Sequence, residues 1–181
     1  IAIIWMDEQD SKINKIGPDM IDTFNPMMDE LEKDPEVKAA VMISRKKDFI
    51  AGADIEAFAN VKKEGDWQPI AKKGHQILDR IAKSKKPIVA AINGACMGAG
   101  LEIALACAAR VASDNPKTIM SLPEVKLGLL PGGGGTQRLP RLVGIQKALD
   151  MMLTGKNVFA YPAKKMGLVD RIATKEALLD A

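Results

Sequence analysis

Two carboxylates sit in surroundings that ordinary surface acids do not have. Glu102 interrupts Ala99-Gly-Leu-Glu-Ile-Ala-Leu-Ala-Cys-Ala108, an otherwise apolar stretch that reads as one helix. A carboxylate there is unfavourable unless it is hydrogen-bonded, paired or protonated. Either it pairs with a structural cation such as Arg110, or it is an acid or base whose pKa burial has raised. Glu124 follows Pro123 and precedes Val125, Leu127, Leu129 and Leu130; taken alone it reads as a loop residue. Gly98-Ala99 opens the Glu102 helix. The first N–H groups of such a helix have no intrahelical acceptor and sit at the positive end of its dipole. That suits a developing oxyanion. Ala99 and Glu102 are three positions apart and share a helix face. Gly52-Ala53-Asp54 forms a second strand-to-helix turn able to present an N–H. For both turns, plain loop geometry is the alternative.

The elements that must hold these residues follow from apolar spacing. Ile1–Met6, Ala39–Ser44, Ile88–Ile92, Arg110–Ser113, Thr118–Ser121 and Leu168–Ile172 read as strands. Pro18 opens a helical pattern through Ile21, Phe24, Met28 and Leu31, which Pro26 should kink or break. Arg45–Ala53 reads as a basic loop and Asp54–Asn60 as a short helix capped by Asp54. Trp67 to Ile81 is a longer amphipathic helix ended by Pro87. Asn93–Gly98 is expected to be a turn into the helix Ala99–Ala108, and Pro123–Gly135 a loop with four consecutive glycines. Thr136–Leu142 and Gln146–Leu153 are expected to be helical. Strands alternating with helices give an α/β class with mostly parallel pairing and no internal repeat.

Composition narrows the function. The chain has 181 residues, 47% apolar and 27% charged, which is one globular domain. Its 26 Lys+Arg and 23 Asp+Glu leave a net charge of +3, and aromatics are 4%. Neither a concentrated basic face nor a base-stacking platform is expected, so nucleic acid is disfavoured as a partner. Cys96 and Cys107 with the single His75 make neither a disulfide framework nor a zinc pattern, and no metal site is expected. No charged and then apolar leader opens the chain. Gly94–Ala109 is apolar apart from Glu102, but it is too short to span a bilayer and carries a central charge. Gly132–Gly135 lacks the phosphate-loop spacing, and Gly98-Ala-Gly100 has Ile103 where a dinucleotide fingerprint needs its third glycine. There is no G-x-S-x-G. His75, among lysines and aliphatics, reads as a surface or structural histidine.

Five segments in order resemble the signature of the enoyl-CoA hydratase/isomerase (crotonase) family. They are Phe49-Ile-Ala-Gly-Ala-Asp54, Pro87-Ile-Val-Ala-Ala-Ile-Asn-Gly94, Gly98-Ala-Gly-Leu-Glu102, Pro123-Glu124 and Leu130-Pro-Gly-Gly-Gly-Gly-Thr-Gln-Arg-Leu139. Ala148–Gly155 and Lys164–Asp170 are similar to the hydratase part of multifunctional fatty-acid oxidation subunits. The resemblance implies a spiral of ββα units binding an acyl-CoA thioester. It implies an oxyanion hole from the N–H groups of Ala53 and Ala99, with Ala99 where the family usually has glycine. It implies two catalytic glutamates, Glu102 and Glu124, and substrate contacts from Ala51, Gly52, Asp54, Ile55, Gly98, Pro123 and Gly132. Coenzyme A would be part of the substrate, with no separate cofactor. Arg45, Lys46 and Lys47 either meet its phosphates or form a solvated loop.

The implied reaction is hydration of trans-2-enoyl-CoA in β-oxidation. The alternatives are Δ3-Δ2-enoyl-CoA isomerisation and a non-catalytic RNA-binding or scaffolding relative, against which both glutamates count. A homo-oligomer or a complex with a thiolase subunit is implied. The expected compartment is the bacterial cytoplasm, or the mitochondrial matrix in a eukaryote. Both ends read as cut through structure, with the family's C-terminal helices missing after Ala181. A large apolar surface near the acyl site is therefore expected.

Overall fold

The computed structural model describes residues 1–56 and 67–181, and for residues 18–21 and 67 only the backbone. The expected strands form two sheets. Strands β1 (Ala2–Met6), β2 (Ala40–Ser44), β3 (Ile88–Ile92), β5 (Ala109–Ser113) and β8 (Arg171–Ala173) make a larger, wholly parallel sheet in the order β1-β2-β3-β5-β8. Strands β4 (Ala95–Met97), β6 (Ile119–Ser121) and β7 (Val158–Phe159) make a smaller one, with β4 and β6 parallel and β7 antiparallel. The chain alternates between them. β3 runs into β4 and then helix α3 (Ala99–Ala106); β5 runs into β6 and then a 3-10 turn (Pro123–Leu127). An isolated bridge from Ile50 to Cys96 extends the small sheet toward the preceding segment. These two windings each lay one strand in each sheet, as in the spiral that the resemblance implies.

The other helices are α1 (Pro18–Lys33), α2 (Trp67–Lys83), α4 (Gly135–Val143), α5 (Ile145–Thr154) and α6 (Ala160–Met166). The central parallel strands β2, β3 and β5 are covered on both faces, whereas the edge strand β1 leaves Ile3 and Trp5 exposed. Alternate residues divide between the faces. Ala40, Met42, Ile88, Ala90 and Ile92 join the main core with Met28, Phe49, Ile50 and Leu101, whereas Ile43, Ala91 and Val111 meet Leu178 on the other side. Arg80 on α2 ties that helix to α1 through Asp29 and Glu32, whose carboxyls it holds below the usual range.

Five expectations change. The last strand is Arg171–Ala173 and not Leu168–Ile172, with Leu168 and Val169 buried in the core just before it. α1 runs unbroken through Pro26, whose exposed position leaves the buried stripe of Phe24, Met28 and Leu31 intact. The Asn93–Gly98 turn contains β4, held by Cα partners across β6 that local spacing does not reveal. The Pro123–Gly135 loop begins as a 3-10 turn, for which Pro123 at its start is preorganised. β7 and α6 occupy a stretch with no periodic signal. Of the expected helix Asp54–Asn60, residues 57–60 lie outside the described residues.

Candidate active site

Glu102 is positioned by α3, whose residues from Gly100 to Ala106 are all buried. The carboxylate does not pair with Arg110. That guanidinium instead meets Asp170 at 3.1 Å and donates to the carbonyls of Ala104, Cys107 and Leu168. Oε1 of Glu102 accepts two backbone bonds, from Gly133 N–H at 2.7 Å and Gly135 N–H at 2.8 Å. Glycine is needed here for close approach: a Cβ on Gly133 would lie 2.6 Å from Oε2 of Glu102. Burial raises the Glu102 pKa, opposed by these two N–H bonds and by the charges of His75 and Arg138.

Glu124 lies in the first turn of the 3-10 segment and is half-buried. Its Oε2 is buried with no hydrogen-bond partner among the described residues. Burial, with a further contribution from the Glu102 charge, pushes its pKa up to about 7. A carboxyl titrating there is present in both protonation states near neutrality and can give or take a proton.

The two turns lie side by side. Gly98, at φ +52°, has a conformation that L side chains rarely adopt, and a Cβ there would approach a Glu124 oxygen at 3.2 Å and the Gly52 Cα at 3.8 Å. The Gly98 N–H donates to Ser121 and its carbonyl accepts from the Glu102 N–H, so Ala99 begins the helix with its own N–H uncommitted among the described residues. The second turn is pinned by the segment before α1. The Ile16 N–H donates to Gly52 and the Asp54 N–H donates to Ile16. Residues on a ladder alternate in the side they bond, so Ala53, between these two, turns its N–H away from residue 16. Fully buried Asn14 anchors the same segment. Its Nδ2 donates to Met6 O, Ser44 Oγ and Phe49 O, and its carbonyl accepts from the Ala51 N–H.

Glu102, Glu124, Ala53 and Ala99 all line one cavity of about 710 Å³. So do Ala51, Gly52, Ile55, Gly98, Pro123 and Gly132. Asp54 does not; it forms an ion pair with Lys15 at 2.8 Å, which raises the Lys15 pKa and explains the aspartate by loop anchoring. The walls are otherwise apolar: Ile16, Phe24, Ile70, Ile77, Leu78 and Ile103, with Leu127, Leu129 and Leu130 toward solvent. Two of the three loop cations are committed elsewhere. Lys46 donates to the carbonyls of Glu8 and Ser11, and the Arg45 guanidinium lies 4.8 Å over the Trp5 ring; Lys47 is exposed.

Spacing did not reveal the role of the glycine run as donors to Glu102, nor the contact of His75 Nε2 with the Gly132 carbonyl at 2.5 Å. Four successive glycines were the available signal, since they mark close backbone approach. The described residues hold no cluster of three or more His, Cys, Asp or Glu suited to a metal, and no helix long and apolar enough to cross a membrane.

Comparison with known proteins gives the family. A sequence model described as "Enoyl-CoA hydratase/isomerase" matches residues 1–181. The chain is 49% identical over 180 residues to the fatty acid oxidation complex subunit alpha of Shewanella sp. (strain W3-18-1), a match covering 99% of this chain and 26% of that protein. It therefore spans about a quarter of the length of the curated relatives it matches. The crystal structure of the Bacillus anthracis enoyl-CoA hydratase superposes with a TM-score of 0.90 at 27% identity, over 98% of this chain and 68% of that one. The enoyl-CoA hydratase of Thermoplasma volcanium GSS1 gives 0.89 at 32%, over 97% and 68%. The chain has the crotonase-type fold and belongs to the enoyl-CoA hydratase/isomerase family.

Proposed function

We propose that the chain adds water across the Cα=Cβ bond of a trans-2-enoyl-CoA, giving the 3-hydroxyacyl-CoA of fatty-acid β-oxidation. The observation that carries this reading is two carboxyl groups with raised pKa values facing one apolar cavity beside two backbone N–H groups that bond to none of the described residues. The N–H groups of Ala53 and Ala99 receive the thioester oxygen and stabilise the charge that builds there as Cβ is attacked. One such donor contributes about 3–4 kcal/mol to the transition state. Glu102, its Oε1 held by the glycine loop, orients the water through its other oxygen and acts mainly as base. Glu124 delivers the proton to Cα. The two carboxyls titrate as a coupled pair. Ala51, Gly52, Ile55, Gly98, Pro123 and Gly132 contact the acyl thioester. The chemistry calls for no redox group; coenzyme A enters as part of the substrate.

Family membership supports this reading, and so does the name of the Shewanella relative. By the same likeness the chain works in a fatty-acid oxidation assembly in the bacterial cytoplasm, as a homo-oligomer or with a thiolase subunit. The experiment is turnover of but-2-enoyl-CoA by the full chain in H₂¹⁸O. One ¹⁸O at Cβ, with loss of conjugated-thioester absorbance, is expected. Turnover of 3-enoyl-CoA to the conjugated isomer without ¹⁸O uptake would replace hydration by isomerisation.

A further inference from the structure

Helix α2 does more than wall the cavity. His75 and Asp79 lie one turn apart on it and therefore share a face, and both engage the glycine loop or its partner. His75 Nε2 lies 2.5 Å from the Gly132 carbonyl, so the ring nitrogen donates there. Asp79 receives Arg138 Nη2 at 2.9 Å, and Arg138 Nη1 donates to the Gly133 carbonyl, also at 2.9 Å. The Gly132 carbonyl and the Gly133 N–H belong to one peptide group, and that N–H donates to Glu102. A donor on the carbonyl side both fixes the plane of this peptide and polarises its N–H, because linked hydrogen bonds reinforce one another.

The geometry points to His75 as a positioning residue for the reaction: through the 132–133 peptide it aims and strengthens the hydrogen bond that holds Glu102 in place. This rests on the reading of Glu102 as base. His75 itself is exposed and is not called on to touch substrate. The charged groups facing Glu102 are Glu124, His75 and Arg138. A stronger Gly133 N–H bond favours the ionised form of Glu102, so removing the His75 donor should make Glu102 harder to ionise.

The test compares wild type, His75→Phe, His75→Ala, His75→Gln and Glu102→Gln in the full chain, with hydration of but-2-enoyl-CoA followed across pH. His75→Phe and His75→Ala should each lower kcat about tenfold, the scale of one weakened bond to a charged group. KM should stay within about twofold, and the acid limb of kcat should move to higher pH. Gln places an amide N–H near the lost Nε2–H, so His75→Gln should recover most of the rate and the original limb. Unchanged kcat and acid limb in either of the first two variants overturns the proposal. So does an equal loss in His75→Gln, which would assign the effect to the ring and not the donor. Glu102→Gln separates the two claims. An inactive Glu102→Gln beside a normal His75→Phe removes the role of His75 alone; an active one removes the reading of Glu102 and the role of His75 with it.

Discussion

At the scale of residues, the site is governed by where two carboxyl groups are left after burial. Both have pKa values raised in the folded protein, chiefly by desolvation. Hydration needs Glu102 ionised and Glu124 able to deliver a proton, so kcat should be bell-shaped in pH. Its basic limb should fall as pH rises through about 7, the value to which Glu124 is pushed. A kcat flat from pH 6 to 9 would contradict that assignment. The same shift has a consequence for stability. A carboxyl whose folded pKa lies above its unfolded value favours folding below the unfolded pKa and loses that contribution as pH rises through the folded one. Glu124→Gln should therefore gain Tm over wild type at pH 8, and the gain should vanish near pH 4. Melting curves at the two pH values check this. The types of Glu102 and its surroundings were legible in the sequence, because a lone acid in an apolar helix is anomalous. The choice between an Arg110 pair and a reactive acid was not. It depends on Asp170, 60 positions along the chain, taking the arginine.

At the scale of elements, the oxyanion donors are a property of two turns and not of side chains. Ala99 is the first residue of α3, a position where proline's missing N–H breaks no helical bond and its fixed φ suits the chain. Ala99→Pro should fold, retain its far-UV spectrum, and lose about 10²–10³-fold in kcat. Ala99→Gly should stay active. Unimpaired turnover in a folded Ala99→Pro would mean that this N–H does not hold the oxyanion. The strands β2 and β3 and the helices α2, α4 and α5 were legible to within a few residues, since each carries a strong apolar pattern. β4 and β7 were not, because three- and two-residue strands have no period of their own and exist through pairing with β6. α6 was hidden for a related reason: Pro162 reads as a breaker, yet it sits in the first turn, where it is tolerated.

At the scale of the whole molecule, the two sheets and their covering helices enclose the main core but leave one face apolar. On α5 only Ala148 and Met151 are buried; Ile145, Leu149 and Leu153, at successive helical turns, are 71%, 44% and 64% exposed. Phe159 and Tyr161 are exposed as well, as are Leu127, Leu129 and Leu130 at the cavity. Such a surface binds apolar probes. The 181-residue chain should therefore enhance ANS fluorescence while folded, and Leu149→Lys with Leu153→Glu should reduce it without lowering Tm. Arg110 is buried and joins α3, β5 and the approach to β8. The Asp170 side chain is 48% exposed and Arg110 keeps its three carbonyl partners, so Asp170→Asn should cost only about 1 kcal/mol, read from denaturant unfolding, while leaving kcat near wild type.

The most direct test of the central claim is the turnover number of Glu102→Gln and Glu124→Gln in but-2-enoyl-CoA hydration, with Tm and product-CoA affinity measured on the same preparations. Each substitution keeps the size and polarity of the side chain and removes its ability to exchange a proton. Both should lower kcat by about 10²–10⁴-fold, the range for loss of a positioned acid or base, with folding and CoA-ester affinity retained. Near-wild-type kcat in both folded variants would contradict the account.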